Sequence, residues 1–455
     1  MEKLAIFREY DIRGIYNQDL TEENVIKIGF LIGEELKKRG GKTLGIGYDA
    51  RVHSEIIFQW LCSGIEASGI ITYNLGQIPT PVGYFALFTD FDELKLDGSI
   101  MITGSHNPPQ YNGFKITLLK EPFFGKDIYQ LEQKFYALDS INTKPANPKK
   151  LNVLEKYIEF LSKEFQSLKG LKIPISIDCG NGIAGVGIAE ILKRLELHFE
   201  GLYLNPDGTF PNHHPDPSEE KNLKDIKALV AKNGGIGFAF DGDGDRLAVI
   251  KENKVYKGDE LAIIFAQKIP NPIIIGEVKC SLNMFESINK IGKAIMYKTG
   301  HSNLKVKLKE TNAHLAFEVS GHIFFNDRYF GFDDAIYAAL RVLELIKEDG
   351  LEFDRILQTL PKLYSTDEIK IPTTENQKFA IIQELQQILK NPPANFPKIV
   401  EIIDIDGLRV IFEEGWGLIR ASNTTPMLVT RFEAKSEYAK ETYQKALLDL
   451  LNFKG

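Results

Sequence analysis

The feature that most constrains this chain is an order of elements that comes round three times. In the first cycle apolar spacing predicts a helix over 25–39, a strand over 44–48, a helix over 54–67 and a strand over 99–103. The second runs from a helix over 154–168 through a strand over 173–178, a glycine-rich turn and a helix over 187–195 to a strand over 235–240. The third has a strand over 272–277, a helix near 283–291 and a helix over 333–347, with Asp333 as its N-cap and Gly350 just past its end. Such alternation buries a sheet between layers of helices, which is α/β architecture. The last stretch differs. A helix over 375–389, the breaker Asn391-Pro-Pro393, several strands between 399 and 432 and a closing helix over 437–451 predict an α+β domain.

With 455 residues, the chain has room for three or four domains. Its net charge of −7 argues against a general nucleic-acid coat or a binder of anionic membranes, and no apolar run is long enough to span a bilayer. Cys62, Cys179 and Cys280 lie far apart and form no CxxC pair. A disulfide framework and a cysteine zinc site are therefore not expected, and a reducing cytoplasm fits. The start of the chain reaches charged residues at once, so a leader is not expected either.

Chemistry concentrates in a few segments. Thr103-Gly-Ser-His-Asn-Pro-Pro109 follows an apolar strand and presents Ser105 on a tight turn. A serine hydroxyl is a weak nucleophile until a base, a metal or prior phosphorylation activates it, and His106 and Lys115 are the local base candidates. In Asp241-Gly-Asp-Gly-Asp-Arg246 three carboxylates alternate with glycines between two strands. Asp241, Asp243 and Asp245 would repel one another unless a divalent ion joined them, which points to magnesium. An EF-hand would need glycine where Arg246 stands and a helix where 247–250 reads as a strand.

Gly180-Asn-Gly-Ile-Ala-Gly185 has the dinucleotide-binding spacing, but no comparably placed acidic residue closes a second strand about twenty positions on, so a close strand-to-helix turn is expected. Gly41-Lys-Thr43 precedes a strand instead of following one, which excludes a P-loop. Phe317-Glu-Val-Ser-Gly-His322 offers a carboxylate, a hydroxyl and an imidazole suited to vicinal sugar hydroxyls. Arg420-Ala-Ser-Asn-Thr-Thr-Pro426 gathers a guanidinium and three hydroxyls suited to a phosphate, and Arg431 is either a further charge there or a solvated strand residue.

In this order, these segments resemble those of the α-D-phosphohexomutase superfamily, and within it the bacterial phosphomannomutase/phosphoglucomutase group. Phe7-Arg-Glu-Tyr-Asp-Ile-Arg-Gly14 is similar to that family's opening signature. The sugar loop departs from the usual pattern at Phe317 and Val319. The resemblance implies four domains around a central cleft: 1–150 with the phosphoserine loop, 151–252 with the metal loop, 253–366 with the sugar loop, and 367–455, a smaller α+β domain with the phosphate loop. It implies phosphate on Ser105, one Mg²⁺ per chain held by that phosphate with Asp241, Asp243 and Asp245, and a hexose 1,6-bisphosphate intermediate.

Arg246 would stabilise the transferring group, and Lys115, His106 or His301 would move the proton. Tyr10, Arg13, Lys279, Glu318, Ser320, His322, Arg420, Ser422, Asn423, Thr424 and Thr425 would bind the substrate, a phosphosugar. A phosphoglucosamine mutase with the same chemistry is the alternative within the class, and a noncatalytic phosphosugar binder the one outside it. The expected enzyme is cytoplasmic, a monomer or weak homodimer, without nucleic-acid or membrane partners.

Overall fold

A computed structural model describes residues 4–92, 94–423 and 425–452. The chain divides into two compact units, Met1–Gly258 with Ser320–Phe353, and Asp259–Val319 with Asp354–Gly455. Among the described residues no helix is long and apolar enough to cross a membrane.

In the first unit a mixed sheet has the order Ile12–Ile15, Tyr111–Leu118, Gly98–Ile102, Thr43–Tyr48, Ile71–Gln77, Lys149–Lys150. Thr43–Tyr48 runs parallel to both neighbours, whereas Tyr111–Leu118 returns antiparallel to Gly98–Ile102. That reversal leaves the Ser105 loop at the carboxyl end of a buried central strand. The helices Glu22–Lys38 and Ser54–Ala67 lie so close that a Cβ at Gly64 would meet the Ile26 carbonyl at 2.1 Å. The first of them begins three residues before the apolar periodicity does, because the Thr21 hydroxyl accepts from the Asn24 N–H and a polar first turn follows.

A second mixed sheet of this unit has the order Lys254–Tyr256, Leu247–Lys251, Ile236–Phe240, Ile175–Asp178, Phe199–Leu202. Ile236–Phe240 pairs in parallel with Ile175–Asp178 and antiparallel with Leu247–Lys251, so the 241–246 loop turns the chain at a buried strand end. The Gly180 turn is a packing device, as expected. A Cβ at Gly182 would lie 2.8 Å from the Gly242 carbonyl, and one at Gly185 would lie 2.0 Å from that of Leu204.

Two expectations need correction. The segment expected as one helix over 154–168 is Val153–Glu164 followed by a 3-10 turn, Gln166–Leu168, the switch falling at Phe165, whose ψ of 20° leaves the helical range. The helix Ala335–Asp349 is capped by Asp334, whose side chain accepts from the Tyr337 N–H at 2.9 Å. Asp333 lies one position outside the helix, and its carboxylate is drawn to the His322 imidazole instead, at 3.0 Å. Gly350, at φ +68°, ends the helix where expected.

In the second unit, Ile273–Glu277 pairs in parallel with Lys293–Tyr297 and Leu315–Phe317. The C-terminal part is an antiparallel sheet in the order Tyr364–Ser365, Met427–Ala434, Gly415–Ala421, Leu408–Phe412, Ile399–Ile403, with Ile369–Pro372 also paired to Met427–Ala434. The helices Glu375–Ile388 and Glu437–Asn452 supply Leu385, Tyr443 and Leu447 to a core shared with Phe412 and Phe432. This is the expected α+β arrangement.

Candidate active site

Two loops 136 residues apart meet in the first unit. Gly242 permits the contact, since a Cβ there would lie 2.4 Å from the Ser105 carbonyl oxygen. Ser105 is buried and held in the left-handed region at φ +48°, a strained conformation for a residue with a side chain. Its hydroxyl donates to Asp241 Oδ2 at 2.9 Å.

Asp241, Asp243 and Asp245 are fully buried, with ligand oxygens within 4.8 Å of one another. Asp241 Oδ1 accepts the backbone N–H groups of Gly244, Asp245 and Arg246 at 3.0, 3.1 and 3.1 Å. Asp243 Oδ2 accepts from Thr80 Oγ1 at 2.6 Å and from Lys115 Nζ at 2.7 Å, and Lys115 also pairs with Asp245. Burial and the two neighbouring carboxylates push the Asp241 carboxyl well above the usual range. Burial would raise Asp243 too, but the Lys115 ammonium beside it holds it low. Burial alone would lower Lys115, and the surrounding aspartates hold it above its ordinary value instead. Among the described residues, Asp243 Oδ1 and Asp245 Oδ1 are buried with no hydrogen-bond partner, and an all-oxygen set of this kind suits a hard divalent cation. The acidic triad therefore fits a metal.

His106 donates from Nδ1 to Asp216 Oδ2 at 2.8 Å. Burial and the nearby Arg246 charge push its pKa down to about 4, so at neutral pH the ring is uncharged and Nε2 keeps its lone pair. Arg246, half-buried, donates from Nε to His322 Nε2 at 2.9 Å, and His322 Nδ1 stands 3.0 Å from the buried Asp333. The His322 ring is thus set between Arg246 and Asp333. Arg13 donates to Asn107 Oδ1 at 3.1 Å and pairs with Asp11, while Tyr10 is buried in the opening turn and Ser320 is half-buried.

The second unit carries the remaining predicted residues. Lys279 pairs with Glu368 at 2.5 Å and stands 3.7 Å from Glu277. Burial of the Glu368 carboxyl works against ionisation, but Lys279 brings its pKa down to about 2. Glu318 accepts the Gly300 N–H at 2.6 Å, which ties it to the head of the helix His301–Thr311, where Lys305 Nζ stands 3.4 Å from His301 Nδ1. Arg420 Nε donates to Asp406 at 3.0 Å. Ser422 Oγ and Thr425 Oγ1 are 2.8 Å apart, with Asn423 half-buried between them. Thr424 lies outside the described residues.

The pattern of the phosphoglucomutase/phosphomannomutase alpha/beta/alpha domain I matches residues 4–139, domain II 155–254, domain III 257–364 and the C-terminal domain 368–450. The chain belongs to the phosphoglucomutase/phosphomannomutase family. It is 40% identical over 440 residues to the phosphomannomutase/phosphoglucomutase of Pseudomonas aeruginosa, covering 95% of this chain and 92% of that one. To the phosphoglucomutase of Neisseria meningitidis serogroup A it is 41% identical over 452 residues, covering 96% and 95%. Its fold is similar to the crystal structure of a phosphoglucomutase/phosphomannomutase family protein from Burkholderia thailandensis, with a TM-score of 0.89, 36% identity, and 98% and 97% of the two chains covered.

Sequence reading of this family member missed Asp216, Thr80 and Arg409, each of which supports a predicted residue within its own unit. Asp216 closes Asn212-His-His-Pro-Asp216, whose density of imidazole and carboxylate was the available signal. Thr80, on Asp243, sits in an unremarkable Pro-Thr-Pro stretch and gave none. Arg409 donates to the Val278 and Cys280 carbonyls at 2.5 and 2.8 Å, and Arg431 donates to that of Lys279 at 2.5 Å. These two arginines clamp the backbone that presents Lys279. Arg431 is therefore no solvated strand charge.

Proposed function

We propose that this chain is a phosphohexomutase that interconverts hexose 1-phosphate and hexose 6-phosphate, acting on mannose phosphates, glucose phosphates or both through a phosphorylated Ser105. One observation carries the reading: the Ser105 hydroxyl lies against Asp241 inside a buried set of three carboxylates. A protein that only bound phosphosugars would have no use for a nucleophile there. The names of the relatives at 40% and 41% identity support hexose phosphates over amino-sugar phosphates.

In this reading a free hydroxyl of the bound hexose monophosphate attacks the phosphorus carried by Ser105. The new O–P bond forms as the bond to Ser105 Oγ breaks, and the hydroxyl proton passes to a base. The product is a 1,6-bisphosphate. After the sugar turns end for end, its other phosphate returns to Ser105 and the proton goes back. Phosphoryl transfer is mostly positioning and charge stabilisation. Asp241, Asp243 and Asp245 would hold Mg²⁺, which when bound supplies positive charge for the transferring oxygens.

Arg246, oriented by His322, stabilises the same charge. Of the three proton carriers, His106 is favoured by its neutral ring and its anchor on Asp216, whereas Lys115 is held cationic by two carboxylates. Lys279, Arg420, Ser422, Asn423, Thr424 and Thr425 bind the phosphate that is not reacting, while Glu318 and Ser320 grip sugar hydroxyls, with Tyr10 and Arg13 beside the substrate. A cytoplasmic monomer or weak dimer fits this chemistry.

The test is intact-mass analysis of the wild type and Ser105→Ala, with coupled assays on mannose 1-phosphate and glucose 1-phosphate in Mg²⁺ and a trace of bisphosphate. Wild type should carry one phosphoryl group that the variant lacks, and should turn over at least one of the two sugars. Wild type that binds phosphosugar without isomerising it sinks the reading.

A further inference from the structure

One buried guanidinium organises the loop that carries Ser105. Arg51 follows the strand Thr43–Tyr48, and its side chain is 0% exposed. Nη1 donates to the carbonyls of Pro108 at 2.5 Å and Tyr111 at 3.0 Å, and Nη2 to those of Ser105 at 2.9 Å and Asn107 at 2.6 Å. Nε donates to Asp49 Oδ2 at 3.2 Å. The same Asp49 oxygen accepts from Thr103 Oγ1 at 2.8 Å and from the Gly104 N–H at 3.2 Å. Thr103 Oγ1 accepts the Ser105 N–H at 2.7 Å. Both backbone polar groups of Ser105 are thus fixed by one ion pair, the carbonyl by Arg51 directly and the N–H by Asp49 through Thr103.

Packing removes any slack around this pair. A Cβ at Gly104 would lie 2.4 Å from Arg51 Cζ, and one at Gly208 would lie 2.4 Å from Arg51 Cα. The guanidinium also lies over the Phe210 ring, 5.2 Å from its centroid. Only a rigid planar fork with several N–H groups can serve four carbonyls and a carboxylate at once, and a lysine ammonium of similar charge cannot. The left-handed backbone of Ser105 has to be held against its own preference, and these bonds hold it.

We infer that Arg51 and Asp49 are positioning residues for phosphoryl transfer, holding the Ser105 loop in the conformation that sets its hydroxyl against Asp241. This rests on the phosphoserine reading above. Neither residue touches substrate in this role. Their effect is exerted through the loop backbone, so it falls on the chemical step and not on substrate affinity.

The experiment compares wild type, Arg51→Lys and Asp49→Asn by steady-state kinetics on glucose 1-phosphate, circular dichroism and thermal unfolding. Arg51→Lys should fold and lose about 100-fold in kcat, as expected for a misplacement of the order of 1 Å, with KM changed less than roughly threefold. Asp49→Asn should show the same split with a smaller drop. A folded Arg51→Lys with kcat within roughly threefold of wild type overturns the proposal, as does a loss that appears in KM alone. If Arg51→Lys does not fold, Asp49→Asn decides by the same criteria, and failure of both to fold assigns the pair to the scaffold and overturns the positioning role. Wild type without mutase turnover overturns the phosphoserine reading itself. Wild-type turnover with an unimpaired Arg51→Lys overturns only this inference.

Discussion

The Ser105 hydroxyl donates to Asp241 Oδ2 at 2.9 Å across 136 positions of sequence. Two loops of opposite chemical character, one offering a hydroxyl and the other three carboxylates, close on each other where Gly242 leaves room for the Ser105 carbonyl. If Ser105 carries the phosphoryl group, Ser105→Ala should lower mutase turnover by more than ~10³-fold while leaving the fold intact, since loss of a nucleophile removes the covalent route altogether. A coupled assay with circular dichroism checks this, and residual turnover within tenfold of wild type would refute it.

Lys115 compensates two buried carboxylates, Asp243 and Asp245. Removing one partner of a buried charge cluster costs roughly 3–5 kcal/mol. Lys115→Met should therefore unfold much more readily than wild type in chelator, and Mg²⁺ should recover much of the difference because it replaces the missing positive charge. Denaturant unfolding with and without Mg²⁺ measures this, and a variant as stable as wild type in chelator contradicts it.

The His106 pKa lies near 4, down from 6.5, because burial and the Arg246 charge disfavour its protonated form. The ring is neutral above that value and takes up a proton below it. If His106 accepts the substrate proton, kcat/KM should stay level as pH falls from 8 to about 5 and then decline toward 4. A decline centred between 6 and 7 would assign the proton to another group.

Glu368 titrates near 2 instead of 4.5 because Lys279, overcoming the effect of burial, favours its ionised form. The folded value lies below the unfolded one, so this pair contributes stability that is complete above 4.5 and lost as pH falls from 4.5 toward 2. Glu368→Gln should be less stable than wild type at pH 6, and the gap should close in that window. Urea midpoints across the pH series provide the measurement. A gap that is independent of pH would contradict the assignment.

Arg420 is the cation of the C-terminal hydroxyl cluster, paired with Asp406 at 3.0 Å. Charge-assisted contacts to a phosphate are worth roughly 1.5–3 kcal/mol, so Arg420→Ala should lower kcat/KM about ten- to a hundredfold. Unchanged kinetics would remove Arg420 from the phosphate site.

Local chemistry was enough to identify much of this protein. The alternation of strands and helices, the serine turn and the Asp-Gly repeat each depend on residues close together in the chain, where backbone preference and side-chain type act directly. Local composition does not decide every element. Asn112-Gly113 has the composition of a turn, yet it lies inside the strand Tyr111–Leu118, because Gly113 lets the Ile12 carbonyl approach and the Asn112 amide donates to Ser54 at 2.9 Å.

Asp333 had the sequence signature of a helix cap, but Asp334 performs it and Asp333 serves His322. What only the tertiary structure decided is the pairing of residues far apart: Asp216 with His106, Thr80 with Asp243, and Arg51 with the Ser105 loop. A side chain's type states what it can bind, but its partner is fixed by which strand ends the packed sheets bring together, and that depends on the burial of the whole core.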